Sequence, residues 1–158
     1  MNLDMNKYDF MLERNANYMN YIALSFGERN ISYEEMHDRI EKYYKLLKLK
    51  GITKGDIVGV CLLNCPESVY LLYALDKIGA VVVGFNPFDD KEKTKKDIEL
   101  TNPKAVITVD MAYSNFKDYE KALDFSIYTY SPVKSVKDLK FKLLYNESIF
   151  LWLSKVIL

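Results

Sequence analysis

The stretch Lys50-Gly51-Ile52-Thr53-Lys54-Gly55-Asp56-Ile57-Val58-Gly59-Val60-Cys61-Leu62-Leu63-Asn64-Cys65-Pro66-Glu67 decides how this chain is read. Gly51 stops a helix, and Thr53 to Asp56 is a polar turn. The run from Ile57 to Leu63 is short, continuous and rich in β-branched residues, the pattern of a strand buried on both faces. Such a strand belongs in the middle of a sheet. Asn64 to Glu67 then opens a new helix, with Pro66 in the first turn, where a missing N–H is harmless. A buried strand passing through a short connection into a helix is the unit of an α/β layered domain.

Upstream, Ser32 stands three residues before Glu35, a capping-box spacing, and Met36, Ile40, Tyr43, Tyr44 and Leu47 recur at helical intervals up to Gly51. Before that helix, Tyr21 to Phe26 and a short strand at Ile31 flank the polar Gly27-Glu28-Arg29-Asn30, which predicts a hairpin. Lys7 to Asn20 reads as an opening helix. Downstream, Gly79 closes the helix begun at Pro66, and a strand from Ala80 to Val83 follows at once. A charged helix from Lys91 to Leu100, a strand from Ala105 to Val109, a helix from Met111 to Leu123 and a last strand from Ile127 to Tyr130 complete the alternation. The expected fold class is α/β, a layered sheet with flanking helices. No internal repeat and no Gly/Ser-rich or Pro-rich linker divides the chain.

The chain has 158 residues, 22 basic and 22 acidic, with 49% hydrophobic side chains. A domain of that length buries roughly 70% of its unfolded surface, so a core needs neither disulfides nor metal. A formal charge of zero supplies no field for nucleic acid, which is not an expected partner. Cys61 and Cys65 lie four apart in one apolar stretch, with no second pair, and read as reduced, buried thiols of a cytoplasmic protein. No basic segment followed by an apolar one opens the chain, so no secretory signal is expected. The apolar run from Ile149 to Leu158 is too short for a bilayer, which needs about 20 residues.

No catalytic residue and no metal ligand set is expected. There is no Walker-type loop, and Gly51, Gly55 and Gly59 are spaced too widely for a dinucleotide fingerprint. The single histidine, His37, lies beside Met36 on the capped helix and is expected to face solvent. Glu34-Glu35 and Asp89-Asp90 stand at helix starts, where acidic side chains suit the macrodipole. The mixed charges from Asp90 to Asp97 are those of a solvated helix face. Lys134, Lys137, Lys140 and Lys142 precede the apolar segment Ile149 to Leu158 with its Trp152. That segment is expected to pack on protein, as a contact to another polypeptide or a second copy, in preference to a membrane surface.

From the capped helix onward the residues resemble the adenylate-forming (AMP-binding) superfamily, which includes acyl-CoA synthetases, peptide-synthetase adenylation domains and luciferases. Ile31-Ser32-Tyr33-Glu34-Glu35-Met36 is similar to the family's first core motif. Lys50 to Val58 is similar to its glycine-valine-x-x-glycine-aspartate-x-valine turn and strand, and Asn64-Cys65-Pro66-Glu67 to its asparagine-x-proline-glutamate signature. Leu75-Asp76-Lys77-Ile78-Gly79-Ala80-Val81, running to Asn86-Pro87, resembles the second core motif, and Tyr73 to Val81 leans toward the acyl-CoA synthetase branch. The region from Ser131-Pro132-Val133 to Leu144-Tyr145 is similar to a segment of bacterial members.

The resemblance implies an AMP-forming acid–thiol ligase that activates a carboxylate with ATP and passes the acyl group to CoA or another thiol. Residues 1–145 correspond to a partial N-terminal subdomain, and residues 146–158 to an apolar C-terminal tail. The family's serine/threonine/glycine-rich phosphate loop with its lysine, its adenine, ribose and magnesium motifs, and its mobile C-terminal domain fall beyond Leu158. ATP, Mg and CoA are thus implied for the intact family, with none assigned to this chain, which is expected to be inactive scaffold. The alternative is a non-catalytic interaction module that pairs through its tail with another polypeptide, such as the rest of a split synthetase. In the acyl-CoA synthetases the loop after the second core motif approaches the nucleotide end of CoA, which points to Gly84, Phe85 and Asn86. The plain reading of the same residues is a strand exit in which Gly84 and Asn86 satisfy the backbone and Pro87 stiffens the turn.

Overall fold

A computed structural model describes residues 5–119 and, for the backbone, 126–130. Helix α1 (Lys7–Asn15) leads into the hairpin β1 (Ile22–Phe26) and β2 (Arg29–Ser32). Then follow α2 (Tyr33–Leu49), β3 (Ile57–Cys61), α3 (Pro66–Ile78), β4 (Val81–Gly84), α4 (Lys91–Thr101) and β5 (Ala105–Val109). A 3₁₀ turn (Asp110–Asn115) and β6 (Ser126–Tyr130) come last. The strands β4-β3-β5-β6 form one parallel sheet in that order, with β3 inside it as expected.

The local chemistry explains the element boundaries. Ser32 accepts from the Glu35 N–H at 3.1 Å and caps α2. Gly79 ends α3 in the left-handed conformation at φ 80, where a Cβ would be strained. The amide of Gly55 then donates to Gly79 O at 2.9 Å, tying the turn before β3 to the end of α3. The two clusters of buried apolar residues lie on opposite faces of the sheet. One joins Val58, Val60 and Ala105 to α1, α2 and α3 through Ile40, Leu71, Ala74 and Leu75. The other joins Cys61 and Val106 to Phe85, Ile98 of α4, Ala112 and Phe116. Helix layer, sheet, and a thinner layer of α4 and the 3₁₀ turn make up the α/β arrangement.

Four expectations are revised. Helix α1 ends at Asn15 and not near Asn20, because the Asn15 side chain donates to Met11 O at 2.8 Å and two tight turns follow. The hairpin turn is only Gly27-Glu28, with Arg29 and Asn30 already paired to Phe26 and Ser25. Over its described part, the helix expected from Met111 is a 3₁₀ turn: the amides of both Phe116 and Lys117 bond back to Tyr113 O, and Ala112 and Phe116 plug the second cluster. His37, expected in solvent, is 6% exposed; the ring of Tyr8, from α1, meets it edge-on at 5.4 Å. The region Ser131 to Tyr145, the lysines before the tail and the segment Ile149 to Leu158 lie outside the described residues.

Candidate functional site

The carboxyl ends of β3, β4 and β5 are where an open α/β sheet receives ligands. Here that rim consists of Leu62 to Cys65, Phe85 to Asp90 and the 3₁₀ turn. Gly84 is the exposed last residue of β4. Phe85 turns inward: it is 6% exposed, its amide donates to Val60 O at 2.9 Å, and its ring meets Phe116 edge-on at 5.5 Å. Asn86 is exposed and builds its own turn, with Oδ1 accepting from the Phe88 N–H at 3.1 Å and Nδ2 donating to Asp89 Oδ1 at 3.2 Å. Asn115 Nδ2 donates to Asp89 O at 2.9 Å, so the 3₁₀ turn holds this loop from the other side. Of the three candidate CoA-side residues, the structure therefore leaves Gly84 and Asn86 at the surface and commits the Phe85 ring to the core.

A groove of about 330 Å³ lies beside this rim, where the hairpin meets the start of α3. Leu24, Phe26, Asn64, Cys65, Ser68 and Val69 line it. Ser68 Oγ donates to Cys65 O at 2.6 Å and accepts from the Cys65 N–H at 3.3 Å, closing the first turn of α3 behind Pro66. Burial pushes the Cys65 thiol up from its ordinary value, and pushes Cys61 up to about 11 against a hydrogen bond with Thr108. Both cysteines are free and buried, as expected, and both are thiols at neutral pH. Arg29 of β2 pairs with Glu67 at 3.8 Å at the same corner. Among the described residues no group of three or more His, Cys, Asp or Glu side chains is arranged to hold a metal ion.

A polar cluster joining α1, α2 and α3 was not legible as a site from the sequence. The Tyr8 hydroxyl donates to Glu41 Oε1 at 2.6 Å, Lys77 donates to the same oxygen, and His37 Nδ1 lies 3.3 Å from the Tyr8 oxygen. The Lys77 ammonium also sits over the rings of Tyr8, at 4.6 Å, and Tyr44, at 4.8 Å. Burial pushes the Glu41 carboxyl up, but the hydrogen bonds from Lys77 and Tyr8 outweigh it and hold the group below its usual range. Tyr8 is raised, by burial first and then by Glu41. The one signal available beforehand was His37 and Glu41 four apart on a helix; their partners come from α1 and α3, far away in sequence.

Residues 12–146 match the family model described as AMP-binding enzyme. The chain belongs to the AMP-binding enzyme family. This family member is 28% identical over 123 residues to a long-chain-fatty-acid–CoA ligase of Bacillus subtilis, a match covering 78% of this chain and 21% of that protein. To the medium/long-chain-fatty-acid–CoA ligase of Mycobacterium tuberculosis it is 28% identical over 95 residues, 60% of this chain and 16% of that one. An anthranilate CoA ligase solved in complex with anthranoyl-AMP shares the fold, with TM-score 0.74 at 22% identity over 82% of this chain and 26% of that chain. The chain thus spans about a fifth or less of the curated ligases to which it is similar. Among its described residues no helix is long and apolar enough to cross a membrane.

Proposed function

We propose that this chain supplies the opening scaffold of an AMP-forming acid–thiol ligase and carries none of its catalytic groups. One observation supports the reading: the residues that match the family's landmarks are engaged in holding the fold. Ser32 caps α2. Asp56 accepts from the Thr53 N–H at 2.7 Å and from Lys104 at 2.7 Å, and Lys104 holds it down to about 2. Pro66 opens α3, Gly79 closes it, and Asn86 builds the turn after β4. The intact ligase would join a carboxylate to ATP, release pyrophosphate and pass the acyl adenylate to CoA or another thiol in the cytoplasm. The groups that stabilise charge on the phosphates would be supplied by other residues of that ligase.

ATP–pyrophosphate exchange by the purified chain, assayed across a panel of carboxylates, is the test. The expected result is no exchange above background, and exchange with any acid overturns the proposal. A second reading, an interaction module paired with the rest of a split synthetase, draws support from the edge of β4, unpaired among the described residues, where Val81 and Val82 are 50% and 38% exposed. That pairing would run through Ile149 to Leu158. Concentration-dependent association lost on deleting that segment favours this reading, and a monomer with the segment intact rejects it.

A further inference from the structure

Among the described residues β4 is paired with β3 alone, from Val81 to Gly84 without a shift in register. It carries no charge, no proline and no bulge, the devices that keep a sheet edge from pairing with another chain. Its valines face both ways. Val82 stands level with Val58, on the side of the first cluster, and is 38% exposed. Val81 points to the opposite side with Val83, which packs against the second cluster, and is 50% exposed. A parallel sheet is normally covered on both faces, so this edge is short of apolar neighbours above and below. Its backbone is short of partners too. The Val81 and Phe85 amides donate to Asp56 O and Val60 O, both at 2.9 Å. Directions alternate along a strand, so the Val82 and Gly84 amides point away from β3.

The chain contains a segment that matches this edge. Ile149-Phe150-Leu151-Trp152-Leu153 is a run of five apolar residues with no glycine, proline or charge. As a strand it offers apolar side chains to both faces at once, as β4 requires. Reach is no obstacle. Crossing from β6 to the far side of β4, at about 4.8 Å per strand, takes about 20 Å, and the 18 residues 131–148 extend to roughly 60 Å. The other end of the sheet is a poorer fit, because β6 carries hydroxyls at Ser126, Tyr128, Thr129 and Tyr130. The segment also lies past residue 146, where the family match ends, so the inference does not rest on the ligase reading.

We propose that Ile149 to Leu153 adds to the outer edge of β4 within the same molecule, pairing with the Val82 and Gly84 backbone and covering Val81 and Val82. The added strand then keeps this edge from pairing with a second molecule.

Trp152 is the only tryptophan, so its fluorescence reports on the segment in the full chain without a label. Its emission is expected at the short wavelengths of a buried indole. Val82→Asp should move it to the wavelengths of an indole in water and raise its acrylamide quenching about threefold or more. Water-like emission in the unmodified chain, or emission unchanged by Val82→Asp, overturns the proposal. Amide hydrogen exchange locates the contact. In the full chain the Val82 and Gly84 amides should be protected, and deleting residues 149–158 should remove at least about tenfold of that protection while Val81 and Phe85 keep theirs. Exchange of Val82 and Gly84 at intrinsic rates in the full chain also overturns it. Should the shortened chain precipitate, the same comparison at Gly84 is made in Val82→Asp. Sedimentation across a concentration range tests the other occupants: a monomer is expected, and association of the full chain that the deletion abolishes would place the segment on another molecule and overturn the proposal.

Discussion

Strands β3 and β4 are neighbours in one sheet with nearly the same composition, Ile57-Val58-Gly59-Val60-Cys61 against Val81-Val82-Val83-Gly84, yet they live in different surroundings. Val58 and Cys61 are completely buried, whereas Val81 is 50% exposed. β3 is sandwiched by both apolar clusters and paired on both edges; among the described residues β4 is paired with β3 alone. A run of valines thus specifies a strand but not its place in the sheet. Place comes from what packs above and below, which is non-local information.

That contrast can be broken or sharpened by substitution. The largest effect is expected from a charge: Val58→Asp should cost at least about 4 kcal/mol in urea unfolding, whereas Val82→Asp should change stability by less than about 1 kcal/mol. Comparable losses at the two positions would mean that β4 is as enclosed as β3. Next, Phe85→Ala should cost about 3 kcal/mol, because the ring that leaves β4 is the part of this edge that reaches the core. A surface-level loss would instead place Phe85 among residues free to meet a ligand. Gly59→Ala follows, at about 1–3 kcal/mol, because a Cβ there would stand 2.7 Å from Phe85 Cε2 and 3.0 Å from Val106 Cγ2. Phe85→Leu should recover part of that loss if the ring is the obstacle.

The smallest effect concerns how the strand starts are fastened. Lys104 Nζ bridges Asp56 at 2.7 Å and Gly51 O at 2.8 Å, while the β4 side of this corner is joined by backbone bonds such as Val81 N to Asp56 O. Hydrogen bonds from Lys104 first, then from Thr53, hold the Asp56 carboxyl at about 2. Its contribution is therefore complete above the ordinary carboxylate value and disappears as the pH falls through that value toward 2. In Lys104→Met, a ¹³C titration should find the carboxyl raised toward 3.8, and the acid-side loss of stability should become shallower.

Much of this architecture was legible in the chain because its signals are local. The Ser32 cap, Pro66 at a helix start, Gly79 at a helix end and the strand Ala105–Val109 all rest on residues within one turn of one another. The readings that needed revision depend on distant partners. His37 looked like a surface residue on the pattern of α2 alone, yet it is buried and meets Tyr8, a residue far away in sequence. The spacing of Ala112 and Phe116 suited an α-helix, but those side chains are drawn down by Phe85 and Ile98. The candidate loop was read correctly in its turn chemistry at Asn86, while the inward turn of Phe85 depends on a gap above Gly59 that no local pattern reveals.

The link between Gly55 and Gly79 has a kinetic consequence. It closes a unit in which Ile57 meets Val81 across far less intervening chain than Val58 needs to meet Ala105. Loop-closure entropy favours the nearer pairing, so the central strand meets β4 in register before it meets β5. The strand whose Val81 and Val82 stay exposed in the finished molecule is then ordered before β5 joins. Substitutions at Gly79 should slow folding more than they hasten unfolding, and those at Val106 should do the reverse.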